Sequence, residues 1–230
     1  MRTFKAIGAL LDYPTAELVG ALDEVEACVE AEGFLGRRPL AGVRAVVAHL
    51  RTRLPLDLQE DYVALFDRTR RLSLHLHEHS YGESRDRGQA MVELATAYRL
   101  HGFELAGPEM PDYLPLFLEF LSELPEEPAR RYLADAVDIL EALRVRLDER
   151  GSVHARLLEA LVSLSAHRAE RAEVEAILGG EPKDPATAEE LDEAWAEEPV
   201  TFSPGAALGD CPYARGAVRD RLQAAKGQGA

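Results

Sequence analysis

The stretch Leu133-Ala134-Asp135-Ala136-Val137-Asp138-Ile139-Leu140-Glu141-Ala142-Leu143-Arg144-Val145-Arg146-Leu147 decides the class of fold. Its apolar residues Leu133, Ala136, Val137, Leu140, Leu143 and Leu147 recur at i, i+3, i+4 and i+7. That spacing draws one stripe along a helix and none along a strand. Leu157, Leu158, Leu161 and Leu164 continue the pattern after Gly151. Towards the N-terminus it returns in Val43, Val46, Val47, Leu50 and Leu54, and in Leu18, Ala21, Leu22, Val25, Cys28 and Val29. Leu occurs 34 times and Ile 3 times, with Ala, Glu and Arg abundant. This is helix-forming composition with few β-branched residues. No sustained alternation and no fixed-period repeat competes with it, so the expected fold is all-α.

Punctuation divides the chain. Pro14-Thr15 ends a first helix and opens a second with Thr15 as N-cap, and Gly33 and Gly36 close that second helix. Ser84 is the expected N-cap of a helix running to about Leu105, stopped by Gly107-Pro108. Pro111 suits the first turn of the next helix, Asp112 to Leu124, which is apolar nearly all round and should be central. Pro125 and Pro128 break that helix, and Gly151 separates the last two long ones. The 230 residues are enough for one sizeable core. The expected division is a helical domain over 1–178 and a tail over 179–230, acidic at first, then rich in Gly and Ala, and largely mobile. From Glu170 to Glu198 there are 11 acidic and 2 basic residues, which supply most of the net charge of −15. Trp195 lies in that stretch and is expected to close a helix on the core.

Charge and cysteine content exclude several classes. A net charge of −15 argues against a nucleic-acid binder, which needs a basic stripe to displace counterions. It favours basic partners. Cys28 and Cys211 are far apart, so neither a disulfide framework nor a cysteine-built zinc site is expected. The apolar stretch after Met1–Lys5 is interrupted by Asp12 and Pro14 and makes a poor signal peptide. No run reaches the roughly 18 apolar residues of a membrane span. The protein is read as cytoplasmic, without membrane insertion.

Chemistry-bearing residues concentrate in Tyr62–Met91, YVALFDRTRRLSLHLHEHSYGESRDRGQAM. His75, His77 and His79 alternate there. On a strand all three share a face, whereas on a helix only His75 and His79 do. His75-Leu76-His77-Glu78-His79 fits the H-x-x-E-H pattern of inverted zinc peptidases, with Glu78 as general base. This makes a zinc-dependent hydrolase the alternative reading, though a third protein ligand cannot be named. No nucleophile elbow accompanies Ser73, Ser80 or Ser84, and no phosphate-binding glycine loop is present. Read as a peptide-binding groove, the segment offers apolar and acidic residues for a basic amphipathic helix, with Glu78, Glu83, Asp86 or Asp112 meeting its charges, while each of these residues taken singly reads equally as core or as a solvated face. Some of these acids can instead pair internally with Arg85 or Arg87.

The same segment resembles a known family. Asp67-Arg68, Ser73-Leu74-His75-Leu76, Glu78-His79 and Gly82-Glu83-Ser84-Arg85-Asp86-Arg87-Gly88-Gln89-Ala90-Met91 are similar to the signature of NarJ-type nitrate reductase assembly chaperones. These fall within the wider TorD/DmsD-like group of redox-enzyme maturation proteins. Met110-Pro111-Asp112-Tyr113-Leu114-Pro115-Leu116, Leu118-Glu119-Phe120-Leu121 and Trp195–Phe202 resemble further family motifs. His77 stands where the family has an aromatic residue, Tyr81 where it has His, and Ser80 where it is apolar. If His77 replaces a buried ring, it should be largely neutral. The resemblance implies an all-helical chaperone of the TorD/DmsD-like type with no catalytic activity and no cofactor of its own. Its implied partners are the apo catalytic subunit of respiratory nitrate reductase, with that subunit's basic N-terminal peptide, and molybdenum cofactor delivery proteins. It implies that the chain keeps its client competent for molybdenum cofactor insertion and membrane docking. The client-peptide contacts it implies are Leu72, Leu74, Leu76, Glu78, His79, Tyr81, Glu83, Arg87, Asp112, Tyr113, Phe117 and Glu119.

Overall fold

The computed structural model of the chain describes residues 1–68, 70–81 and 85–180, with the backbone alone at 81, 85 and 86. The described residues are helical throughout, with one isolated antiparallel bridge between His75 and Tyr113 and no strand. The tail with Trp195 and Cys211, the end of the 1–178 domain and the start of the Ser84 helix lie at or outside the limits of these residues.

The centre is a helix pair. α1 (Arg2–Leu11) packs on α8, with α8 spanning Leu114–Glu123. Phe4, Ile7, Leu11, Leu114, Leu118 and Leu121 are fully buried between them. Gly8 sets the separation: a Cβ there would lie 3.1 Å from Pro115 O and 3.2 Å from Leu118 Cβ. The near-continuous apolar character of α8 is thus explained, because it is covered on every side but one.

α2 (Ala16–Gly20), α3 (Leu22–Glu32) and α4 (Arg37–Thr52) follow, and α3 packs on α1. Thr15 caps α2 as expected, its Oγ1 accepting from Leu18 N at 3.2 Å. The expected single helix after Thr15 is two, broken at Ala21, whose ψ of 4° is not helical. Gly33, at φ +68°, closes α3, and Gly36 opens α4 rather than closing anything. Glu32 reaches back to α1 and accepts from Arg2 N, Thr3 N and Thr3 Oγ1 at 2.7–2.8 Å. Burial pushes the Glu32 carboxyl up, but these hydrogen bonds outweigh it and hold it below its ordinary value.

α5 (Pro55–Tyr62) runs without a break into a π-helical turn, Val63–Asp67, and a single 3₁₀ turn, Arg70–Leu72, follows. α6 (Leu76–Tyr81) and α7 (Arg85–Leu100) complete the histidine-rich region. α7 stops five residues short of Leu105. Gly102 at φ +75° lets Phe103 N reach Tyr98 O at 2.9 Å and Gly102 N reach Arg99 O at 3.0 Å. The Tyr98 and Phe103 rings then pack edge-on, which makes a complete Schellman ending. α8 starts two residues later than expected. Pro111 and Asp112 instead form a turn, closed by Tyr113 N on Met110 O at 3.0 Å, and Tyr113 bridges to His75 before the helix begins.

α9 (Glu126–Asp135), α10 (Val137–Glu149), α11 (Ala155–Leu164) and α12 (Arg171–Gly180) build the remaining half. α11 packs against α10 and α4, and α12 lies on α10. Gly151 at φ +67° closes α10 with Ser152 N on Leu147 O and Gly151 N on Asp148 O, both at 2.9 Å. This is the separation expected at that glycine.

Candidate functional site

Ser73–Leu76 is the seam on which the site is built. Leu72, Leu74 and Leu76 alternate with polar residues and all three are buried. The segment leaves the 3₁₀ turn at Leu72, bridges to Tyr113 at His75 and enters α6 at Leu76, and Ser73 is buried together with the leucines. Leu76 N donates to Asp112 O at 3.0 Å, and Leu114 N donates to Leu74 O at 2.8 Å. This short ladder brings Asp112 against the histidines.

Asp112 is fully buried. Its Oδ1 lies 3.1 Å from His75 Nδ1, and its Oδ2 accepts from His77 N at 3.1 Å. Burial pushes the Asp112 carboxyl up, but the His75 hydrogen bond and the His77 N–H overcome this and hold it low. The bond to Asp112 raises His75 against the opposing effect of burial. His77 is half-buried, and burial pushes it towards its neutral form.

His79 faces elsewhere. Its Nε2 lies 2.8 Å from Ser73 O, and Arg146 Nη1 lies 3.2 Å from its Nδ1. A guanidinium can only donate, so Nδ1 accepts and the Nε2–H donates to the carbonyl. Arg146 is 3% exposed and also donates to Arg71 O and Ile177 O, both at 2.8 Å. It therefore ties α10 to the 3₁₀ turn, to α6 and to α12.

These contacts separate the parts of the H-x-x-E-H pattern. His75 engages Asp112, both His79 nitrogens are committed, and Glu78 pairs with Arg87 at 3.0 Å. No group of three or more metal-ligating side chains occurs among the described residues. Neither expected face of histidines forms, because the chain changes from extended to helical at Leu76.

Beside the seam an open groove of about 770 Å³ lies between α1, the π-turn and the start of α8. Its walls carry Tyr13, Tyr62, Phe66, Leu74, Met110 and Tyr113. Tyr13 and Tyr62 pack edge-to-face at 5.5 Å between centroids, and Tyr62 packs on Phe66 at 5.0 Å. The Tyr62 and Tyr113 hydroxyls are 3.0 Å apart, and Tyr113 donates onward to Asp12 Oδ1 at 2.9 Å. Burial raises the Tyr62 hydroxyl to about 12 and raises that of Tyr113 as well. Both therefore remain hydrogen-bond donors at any ordinary pH. Lys5 lines the groove but is tied to Glu119 at 2.7 Å. Asp12, Asp67 and Glu109 also line it and form no ion pair among the described residues.

Of the residues expected to contact a client, Leu74, Tyr113 and Glu119 line this groove. Leu72, Leu76, His79, Asp112 and Phe117 are buried away from the groove, and Leu74 reaches its wall with only 3% of its surface exposed. They were the apolar and polar halves of a core seam. Asp112 is likewise not available to a ligand's charge, because its two oxygens are engaged by His75 and His77. Glu78 and Arg87 neutralise each other, the internal pairing foreseen as one option. The Tyr81 and Glu83 side chains lie outside the described residues. Sequence reasoning missed Asp12, Tyr13, Tyr62, Phe66 and Met110. Tyr62 and Phe66 open the chemistry-bearing stretch and Met110 heads a motif quoted above, whereas nothing local marks Asp12 and Tyr13.

The profile of the nitrate reductase delta subunit family matches residues 37–176. The chain is 39% identical over 204 residues to the nitrate reductase molybdenum cofactor assembly chaperone NarJ of Escherichia coli strain K12, covering 89% of this chain and 86% of that one. It is 37% identical over 202 residues to the probable nitrate reductase molybdenum cofactor assembly chaperone NarW of the same organism, covering 88% and 84%. It is 31% identical over 165 residues to the probable nitrate reductase molybdenum cofactor assembly chaperone NarJ of Bacillus subtilis strain 168, covering 70% and 86%.

Proposed function

Because the chain belongs to the nitrate reductase delta subunit family, we propose that it is an assembly chaperone for respiratory nitrate reductase and not an enzyme. It binds the apo catalytic subunit through a groove that takes that subunit's basic N-terminal peptide. It keeps the client competent for molybdenum cofactor insertion by its delivery proteins and for membrane docking. It acts in the cytoplasm. No helix of the described residues is long and apolar enough to cross a membrane.

The observation that carries this reading is the aromatic groove lined by the carboxylates of Asp12, Asp67 and Glu109, which form no ion pair among the described residues. Aromatic and aliphatic walls give affinity to the apolar face of a helix, and the carboxylates orient its basic face. The groove adjoins the seam whose residues match the family signature. In this reading the buried Asp112–His75–His77 cluster does not touch the client. It holds the Met110–Tyr113 turn in place, and with it the Tyr113 wall of the groove.

Calorimetric titration with a synthetic peptide of the catalytic subunit's N-terminus tests the reading. Saturable binding that weakens as salt screens the carboxylates is expected. A second arm measures the molybdenum content of nitrate reductase matured with and without the protein. Equal molybdenum loading in both would refute the chaperone role, and absence of peptide binding would refute the groove.

A further inference from the structure

Resting on the groove reading above, we propose that Asp12 is the specificity-determining carboxylate of the groove: it receives one lysine or arginine side chain of the bound amphipathic segment. Three observations point to this residue among the groove's acids.

First, Asp12 is the only one of the unpaired carboxylates described above that receives hydrogen bonds from fixed donors. Its Oδ1 accepts from Tyr113 O–H at 2.9 Å and from Tyr13 N at 2.8 Å. Tyr113 is itself held by Tyr62 at 3.0 Å and by the backbone seam with Leu74. An anchor restrained from two sides loses little freedom when it binds, which is how preorganisation raises affinity. Asp67 and Glu109 have no hydrogen-bond partner among the described side chains.

Second, Asp12 is badly placed for the stability of its own helix. It is the C-terminal cap of α1, and the last turn of α1 carries no basic residue. The C-terminal end of a helix carries partial negative charge and disfavours a carboxylate. Helix end and carboxylate together concentrate negative potential at the groove.

Third, the surroundings suit a long cationic side chain. The Tyr13 and Tyr62 rings stand beside Asp12 and offer apolar surface to the methylenes of a lysine or arginine. Lys5, the basic residue lining the same groove, is occupied by Glu119 and does not compete for Asp12.

The test uses the full chain and the synthetic client peptide, with each lysine or arginine of the peptide replaced in turn by norleucine. Asp12→Asn removes the charge and keeps an oxygen to accept from Tyr113 and Tyr13. It is expected to weaken peptide binding about fivefold, the upper range for a partly exposed ion pair. One norleucine replacement should weaken binding to the wild type and be silent in D12N, which identifies the paired cation. The thermal midpoint of D12N should be unchanged or slightly raised, whereas a merely structural role predicts a fall. Tyr113→Phe, which frees the carboxylate, should lie between wild type and D12N in affinity. Wild-type affinity in D12N, or an equal loss from every norleucine replacement, overturns the assignment. The norleucine scan on the wild type decides the question even if D12N folds poorly. A wild-type protein that does not bind the peptide at all overturns the groove reading first, and this inference with it.

Discussion

Asp112→Ala isolates what the buried carboxylate contributes. The substitution removes two hydrogen bonds to a fully buried acceptor, one from His75 and one from the His77 N–H. Hydrogen bonds to a charged group contribute roughly 1.5–3 kcal/mol each. Relief of the buried carboxylate's desolvation offsets part of this, leaving a net loss of about 3 kcal/mol near pH 6. About 1 kcal/mol of that is the charge of the partly exposed His75. The two partners set the pH window. Asp112 is held low, so its contribution is present above the ordinary carboxylate range and is lost as pH falls through its depressed value. His75 is raised, so its contribution is complete below its ordinary value near 6.5 and is lost as pH rises through its folded value. The cost of Asp112→Ala is therefore greatest between about pH 5 and 6.5 and falls to about 2 kcal/mol at pH 9. With a urea m-value of about 2 kcal/mol/M, the midpoint should drop by about 1.5 M at pH 6 and about 1 M at pH 9. Urea titrations followed by circular dichroism at both values measure this. A penalty that does not change with pH would show that His75 carries no charge in the pair. A penalty below about 0.5 kcal/mol would refute the organising role of Asp112.

Three further outcomes follow from the packing. Arg146→Met leaves Arg71 O, Ile177 O and the His79 ring without their buried donor and should cost about 3–5 kcal/mol, with α12 amides losing hydrogen-exchange protection first. Gly8→Val drives a branched side chain into Pro115 O and Leu118 and should cost about 1–3 kcal/mol by thermal melting. Burial, aided by nearby His49, lowers His154 to about 4, so the unfolded chain binds more protons between about pH 4 and 6.5. Stability should fall by up to about 3 kcal/mol as pH drops through that window, and His154→Gln should flatten the curve in urea titrations at several pH values.

The limits of the sequence reading can be seen at particular residues. Thr15 and Gly151 were correct as punctuation because a cap hydroxyl and a positive φ act within a few residues of themselves. The break at Ala21 and the early stop of α7 were missed. Gly102 followed by Phe103, which completes the ending of α7, was a signal within reach. The π-turn at Val63–Asp67 has no comparable mark. The sequence of Leu72, Leu74 and Leu76 is compatible with core and with groove alike, and their burial shows how little of them is left exposed. An apolar face looks the same from the sequence whether a peptide or the protein's own α8 covers it.

By itself, the sequence determined the all-α class, several helix limits, the acidic balance and the family, because periodicity, capping and motif letters are short-range properties. Only the tertiary structure decided the chemistry of the seam and the groove. Asp112 meets His75 across 37 residues, Arg146 meets His79 across 67, and Tyr113 meets Asp12 across 101. Local propensity sets φ and ψ over a turn or two. Which side chains meet after that depends on how closely the helices pack, here on the absence of a Cβ at Gly8 and on a turn at Asp112 tied by its backbone to Leu76.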